Sequence, residues 1–127
     1  MRALRFSRWW IAFGVALVLV VLYFSLKSSE EDGASLIPDK LSHVLAFFGL
    51  TGWFAALVER RNYKLIAVLM LTLGVAIEWL QDQMALGRTA EIADVYANAL
   101  GIAFGLAVSL LISESWLQRV ECWLFAP

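Results

Sequence analysis

Residues 9–26 read WWIAFGVALVLVVLYFSL, a stretch of eighteen residues without a charged side chain. As an α-helix rising about 1.5 Å per residue it would be roughly 27 Å long, close to the thickness of the hydrocarbon core of a bilayer. The stretch is longer than the h-region of a cleavable signal peptide, which has about 7–15 residues, and no A-x-A-like cleavage site follows it. We therefore expect an uncleaved signal anchor over 9–26.

The composition of the whole chain also indicates that lipid is its main solvent. Of the 127 residues, 61% are hydrophobic and 17% are charged, whereas about a quarter of the residues in a soluble globular protein are charged. A small domain has too much surface for its volume to bury so many apolar side chains away from water. We expect a single domain over 1–127 whose main partner is the lipid bilayer. A net charge of -1 without a basic cluster argues against nucleic acid as a partner.

Three further apolar runs follow the first, at about 41–58, 65–81 and 94–112. The predicted fold is therefore an all-α membrane protein with four transmembrane helices. In the tail, 113–125, apolar side chains recur at helical spacing between charged ones. This pattern favours a short amphipathic helix at the membrane interface. A frayed tail is the alternative.

The distribution of lysine and arginine orients the four spans. Six of these residues lie at the N-terminus and in the turn between spans two and three, and three lie in the other two connections. Positive residues concentrate on the cytoplasmic side of membrane proteins. The sequence therefore predicts that both termini lie inside, so that the acidic connections face outward.

Eight polar side chains lie at the ends of apolar runs that this topology places on the outer side. They are Asp39, Lys40, His43, Glu78, Gln81, Arg88, Asp94 and Asn98. In each of three helices, two of them lie three or four residues apart, so they share a helix face and a similar depth. Polar groups at membrane depth usually face the bundle interior or a functional site. The sequence thus predicts one outward-facing polar site.

Most of these side chains also have a structural explanation. Asp39 and Asp94 begin predicted helices, where a carboxylate caps free N–H groups and complements the helix dipole. Lys40 and Arg88 can extend to the membrane interface, and Asn98 can form a hydrogen bond between helices. Taken singly, these five residues do not require a function.

His43 and Glu78 are harder to explain in this way, because each lies about one turn inside the predicted boundary of its span. His43 is either a hydrogen-bonded packing residue or part of a site. Glu78 is either a structural partner of Lys40 or Arg88, or part of the same site. The hypothesis of a functional site rests on this pair.

Small residues recur every four positions along the fourth run, as Ala97, Gly101, Gly105 and Ser109. Such a pattern lets the backbones of two membrane helices approach closely. The stripe lies next to the polar positions of the same helix. It can pack against another helix of the same chain, or it can form a homo-oligomer through Gly101 and Gly105. The sequence leaves both alternatives open.

Four sequence elements carry a family resemblance: Asp39-Lys40-x-x-His43, Glu78-x-x-Gln81, Arg88, and Asp94-Val95-x-Ala97-Asn98-x-x-Gly101-x-x-x-Gly105. Together they resemble the VanZ-like family of small bacterial multi-pass membrane proteins. The resemblance covers a core of about 38–105, a little over half of the chain. Glu91 stands where a small polar residue is expected, and 85–87 lack the aromatic and proline often found before the arginine.

The resemblance implies a bacterial plasma-membrane protein. It also implies an association, through the family's founding member, with low-level resistance to teicoplanin-type glycopeptides. These drugs act on cell-wall precursors outside the cytoplasmic membrane, on the side where the predicted site faces. The resemblance does not imply a particular reaction.

Two classes of function remain open. In an enzyme that modifies the cell envelope, His43 would be the general acid or base, because its ordinary pKa of about 6.5 suits proton transfer near neutral pH. Glu78 would share that role, and Lys40 and Arg88 would hold a phosphate or carboxylate of a lipid-linked or cell-wall ligand. No nucleophile motif such as G-x-S-x-G is present, which counts against this class.

In the second class, a non-catalytic protein, the same residues bind an envelope ligand or only lock the helix bundle. We expect no cofactor and no metal ion. A metal ion is disfavoured because there is a single histidine and because the nearby cations would oppose a second positive charge.

Overall fold

The computed structural model describes residues 4–27, 38–84, 91–112 and 115–125. The α-helices are α1 (Ser7–Leu26), α2 (Asp39–Leu57), α3 (Tyr63–Met84), α4 (Ile92–Leu111) and α5 (Trp116–Leu124), with a short 3-10 helix at Arg60–Asn62 before α3. The first four of them are long and apolar enough to cross a membrane, as the sequence predicts. Each begins two residues before its predicted start, because a helical backbone can begin in the polar turn before the apolar run.

Helices α2 and α4 pack against each other more extensively than any other pair among the described elements. Gly101 and Gly105 make this possible, since a methyl group at Gly105 would lie 2.9 Å from the Phe48 carbonyl oxygen and 2.9 Å from Thr51 Cβ. The small-residue stripe of α4, including buried Ala97, therefore packs within the chain.

The hydrophobic core lies where α2, α3 and α4 meet. Its buried members are Phe47, Leu50, Ile66, Met70, Ile77 and Ile102. Helix α1 lies outside this group, and Gly14 is its one buried residue within the described range 4–27. A Cβ atom at Gly14 would lie 2.9 Å from the Trp53 indole, so the backbone of α1 at this glycine lies directly against the Trp53 side chain of α2.

Helix α5 joins the two ends of the chain. The carboxylate of Glu121 accepts hydrogen bonds from the backbone N–H groups of Arg5 and Phe6, both at 2.8 Å, and from the Trp10 indole at 2.9 Å. Burial alone would raise the pKa of Glu121, but these hydrogen bonds outweigh it and lower the pKa below its ordinary value of 4.5. A carboxylate at this position also complements the dipole of α1.

The start and the end of α2 mark opposite ends of the bundle. Leu57, at the end of α2, packs with Leu4 and Leu117 in a second apolar cluster. His43, near the start of α2, belongs to the polar group described below. Most of the length of α2 therefore separates the polar group from the place where the two ends of the chain meet.

Candidate functional site

A cation and two carboxylates form the outermost layer of the polar group. Lys40 Nζ donates to Glu91 Oε2 at 2.8 Å and to Asp94 Oδ1 at 3.3 Å. The side chains of Lys40 and Glu91 are about half exposed, whereas that of Asp94 is 8% exposed. Lys40 thus connects the first turn of α2 with the first turn of α4. Glu91 was not among the site residues predicted from the sequence.

His43 lies one turn deeper and is 7% exposed. Its Nδ1 lies 3.0 Å from Asn98 Oδ1, and its Nε2 lies 3.9 Å from Asp94 Oδ2. An amide oxygen accepts hydrogen bonds and cannot donate them, so with the amide in this orientation the ring hydrogen is on Nδ1. Nε2 is then directed toward Asp94.

Glu78 brings a buried carboxylate from α3. The residue is 5% exposed. Neither carboxylate oxygen has a partner in good hydrogen-bond geometry among the described residues, although the backbone N–H of Glu91 approaches the group. The carboxylate lies within electrostatic range of His43 and Asp94. Buried polar groups in proteins are almost always hydrogen-bonded, so Glu78 is the least satisfied group of the site.

Asn98 is also incompletely satisfied, since its Nδ2 has no partner among the described residues. This atom faces α3 at Gly74, where a methyl group would lie 3.0 Å from it. Asn98 is 1% exposed. The amide therefore links α2 to α4 through His43 and fills the space that Gly74 leaves on α3.

The three other residues predicted for the site are Gln81, Asp39 and Arg88, and only Asp39 has a carboxylate close to His43 and Asp94 among the described residues. Gln81 is buried, and its amide donates to the Ser25 carbonyl oxygen of α1 at 2.7 Å, so it joins α3 to α1. Asp39 is exposed, yet it can place a carboxylate oxygen within 4.8 Å of ligand atoms of His43 and Asp94. Arg88 lies outside the described residues.

Comparison of the chain with protein-family models, with curated proteins and with solved structures gives no match. The resemblance over 38–105 therefore stays an expectation. Function has to be argued from the chemistry of the polar group.

That chemistry combines an imidazole with several carboxylates. The described residues contribute the carboxylates of Asp39, Glu78, Glu91 and Asp94, against the ammonium group of Lys40. A histidine beside buried carboxylates can accept or deliver a proton. The same atoms can also hold a cation, because Asp39, His43 and Asp94 offer ligand atoms close to one another.

Proposed function

We propose that this chain is a VanZ-like protein of the bacterial plasma membrane that binds, or acts on, a cell-envelope component at an outward-facing polar site. The observation that carries the proposal is the buried carboxylate of Glu78, which lacks a hydrogen-bond partner among the described residues beside His43 and Asp94. Leaving a polar group unsatisfied costs about 1–3 kcal/mol or more. Such a cost is typically retained where a ligand supplies the missing partner.

The proposed orientation, with both termini inside, rests on the distribution of basic residues. One contact and the position of the polar site agree with this orientation. The link from Glu121 to Arg5 and Phe6 brings the two ends of the chain together, and the polar site lies at the other end of α2. With both termini inside, the site faces the compartment that contains cell-wall precursors.

The proposed ligand is a lipid-linked or cell-wall component with an anionic group. Lys40 lies half exposed at the mouth of the site and offers the charge that a phosphate or carboxylate needs. His43 is suited to exchange a proton with a bound hydroxyl or amine, because imidazole is the usual side chain for proton transfer near neutral pH. A protein that only binds the ligand and an enzyme that transfers a proton would both use Lys40 and His43 in these positions.

The second candidate is a structural protein whose polar residues only lock the bundle. The hydrogen bonds from His43 to Asn98 and from Gln81 to Ser25 each join two helices, as this candidate requires. A homo-oligomer is a separate proposal. If it used Gly101 and Gly105, α2 would have to move, because both glycines face α2 in the monomer.

The test compares Glu78→Gln and His43→Gln with Glu59→Gln, a matched change at the opposite end of α2. Each variant is expressed in a deletion strain, and membrane level, teicoplanin susceptibility and lipid-linked precursors are measured. We expect the site variants to accumulate normally while the phenotype or the precursor profile changes. Site variants that accumulate normally and behave as the wild type would contradict the proposal. Loss of the folded protein in both site variants would favour the structural candidate.

A further inference from the structure

We propose that the polar site holds a divalent transition-metal ion, with Asp39, His43 and Asp94 as ligands and the buried carboxylate of Glu78 within electrostatic range of them. The inference deepens the proposed function and rests on it, since it names what the same residues bind. It departs from the expectation drawn from the sequence, in which a single histidine and nearby cations disfavoured a metal.

The distances between the candidate ligand atoms suit a shared ion better than direct contact. His43 Nε2 and Asp94 Oδ2 are 3.9 Å apart, which is too far for a hydrogen bond. Two ligand atoms bound at about 2.1 Å to a tetrahedral ion lie roughly 3.4 Å apart. Asp39 offers a third ligand atom, and all three lie within 4.8 Å of one another. Closing the group around an ion therefore requires side-chain movements of about 1 Å.

The hydrogen bond to Asn98 prepares His43 for this role. The ring N–H on Nδ1 is directed to Asn98 Oδ1 at 3.0 Å, and this orientation turns Nε2 toward a carboxylate oxygen of Asp94. A metal ion between Nε2 and this oxygen would have a ligand atom on each side. A metal-bound histidine is typically oriented in this way by a partner on its other nitrogen.

Lys40 supports Asp94 without occupying the position of the ion. Its ammonium group contacts Oδ1 of Asp94 at 3.3 Å and Glu91 at 2.8 Å, whereas Oδ2 faces His43. The cation therefore leaves one Asp94 oxygen for a ligand and holds the carboxylate in place from the other side. This placement answers the objection that a nearby cation excludes a second positive charge.

Glu78 is an independent observation that points to a ligand. Glu78 lies in α3, and only 5% of the residue is exposed. Both of its carboxylate oxygens lack hydrogen-bond partners among the described residues. A buried carboxyl group without hydrogen-bond partners is unfavourable. A divalent ion would satisfy it and would also offset the excess negative charge of the group.

The donor set indicates the class of ion. One imidazole nitrogen with two or three carboxylate oxygens suits Zn²⁺ or Mn²⁺, whereas Mg²⁺ prefers oxygen ligands alone. We therefore expect Zn²⁺ and Mn²⁺ to bind more tightly than Mg²⁺.

The test uses the full-length chain, purified in detergent and treated with EDTA. Binding of ZnCl₂, MnCl₂ and MgCl₂ is measured by calorimetry, and bound Mn²⁺ by electron paramagnetic resonance. Each site variant has a matched control: Asp39→Asn against Asp82→Asn, an exposed carboxylate of α3, and Glu78→Gln against Glu59→Gln. We expect one ion per chain, with affinity lowered roughly tenfold or more in the two site variants and unchanged in the controls.

Asp39 is exposed, so Asp39→Asn keeps the test valid if Glu78→Gln does not fold. Folded wild-type chain that shows no saturable binding of Zn²⁺ or Mn²⁺ would overturn the proposal. So would an equal loss of affinity in Asp82→Asn and Asp39→Asn. If the metal does not bind but His43→Gln still changes the cell phenotype, the metal is excluded and the proposed function stands. If the metal binds with the expected pattern but His43→Gln leaves the cell phenotype unchanged, the metal site stands and the proposed function is excluded.

Discussion

Replacement of Gly101 by alanine tests the close contact between α2 and α4. The added methyl group would overlap the backbone carbonyl oxygen of Val44 and lie 3.0 Å from the backbone nitrogen of Phe48. Comfortable contacts between heavy atoms are about 3.5–4.0 Å. The neighbouring atoms belong to a backbone, so no side chain can rotate away, and the two helices must separate by about 0.5–1 Å.

Overpacking of this kind costs typically about 1–3 kcal/mol, and the backbone contacts place Gly101→Ala at the upper end. Gly49→Ala is the matched control, because a methyl group at Gly49 meets nothing within 4 Å. Both variants share the gain of up to about 1 kcal/mol from the higher helix propensity of alanine. The difference between the two variants therefore isolates the packing cost, which we expect to be about 3 kcal/mol.

The measurement is reversible unfolding in mixed micelles, by titration with a denaturing detergent and with tryptophan fluorescence as the signal. Separation of α2 from α4 would also lengthen the 3.0 Å contact between His43 and Asn98, since Asn98 lies one turn from Gly101. We therefore expect Gly101→Ala to impair any activity of the site as well. Stabilities of the two variants within about 0.5 kcal/mol of each other would refute the packing argument.

Two further predictions concern the hydrogen bonds that join the helices. Asn98→Ala should lower the free energy of unfolding by about 1–3 kcal/mol, because buried His43 loses its partner, and an equal loss in Asn62→Ala, outside the site, would contradict this. The ionised carboxylate of Glu121, whose pKa is lowered, should stabilise the fold above pH 4.5 and lose this effect as the pH falls through its lower folded-state pKa. In NMR spectra the Trp10 indole N–H resonance should shift as Glu121 titrates. This pH-dependent shift should be absent in Glu121→Gln. A shift that persists in this variant would exclude the Glu121 carboxylate as its source.

The four spans could be predicted from the sequence because burial in lipid is a local property of each apolar run. The grouping of His43, Asp94 and Asn98 could also be predicted, since helical spacing places polar residues on one face and the alternating topology places them at one end. The direct contact between His43 and Asn98 needed the structure, because the rotation of α2 against α4 depends on side-chain packing across the interface.

Two residues show where the spacing rules stop. Gln81 shares a face with Glu78, yet its amide donates to Ser25, because the position of α1 around the bundle is not encoded in the spacing within α3. Glu91 stands where the resemblance to the VanZ-like family leads us to expect a small polar residue. In the structure it lies closer to Lys40 Nζ, at 2.8 Å, than Asp94 does, at 3.3 Å. Its position three residues before Asp94 was a signal for a second carboxylate on the same face of α4.

The carboxylate that fixes the start of α1 belongs to Glu121, which the ribosome adds 115 residues after Phe6. Chains emerge and fold from the N-terminus at about 5–20 residues per second, so α1 is made long before Glu121 can accept the N–H groups of Arg5 and Phe6. Until then α1 is held by the close contact at Gly14 and by half-buried side chains that pack on the core, Leu17, Val18, Val21 and Leu22. The start of α1 is therefore fixed only after α5 has been made, and a chain cut short before α5 would lose the three hydrogen bonds to Glu121 and leave this end of α1 more open to quality-control proteases.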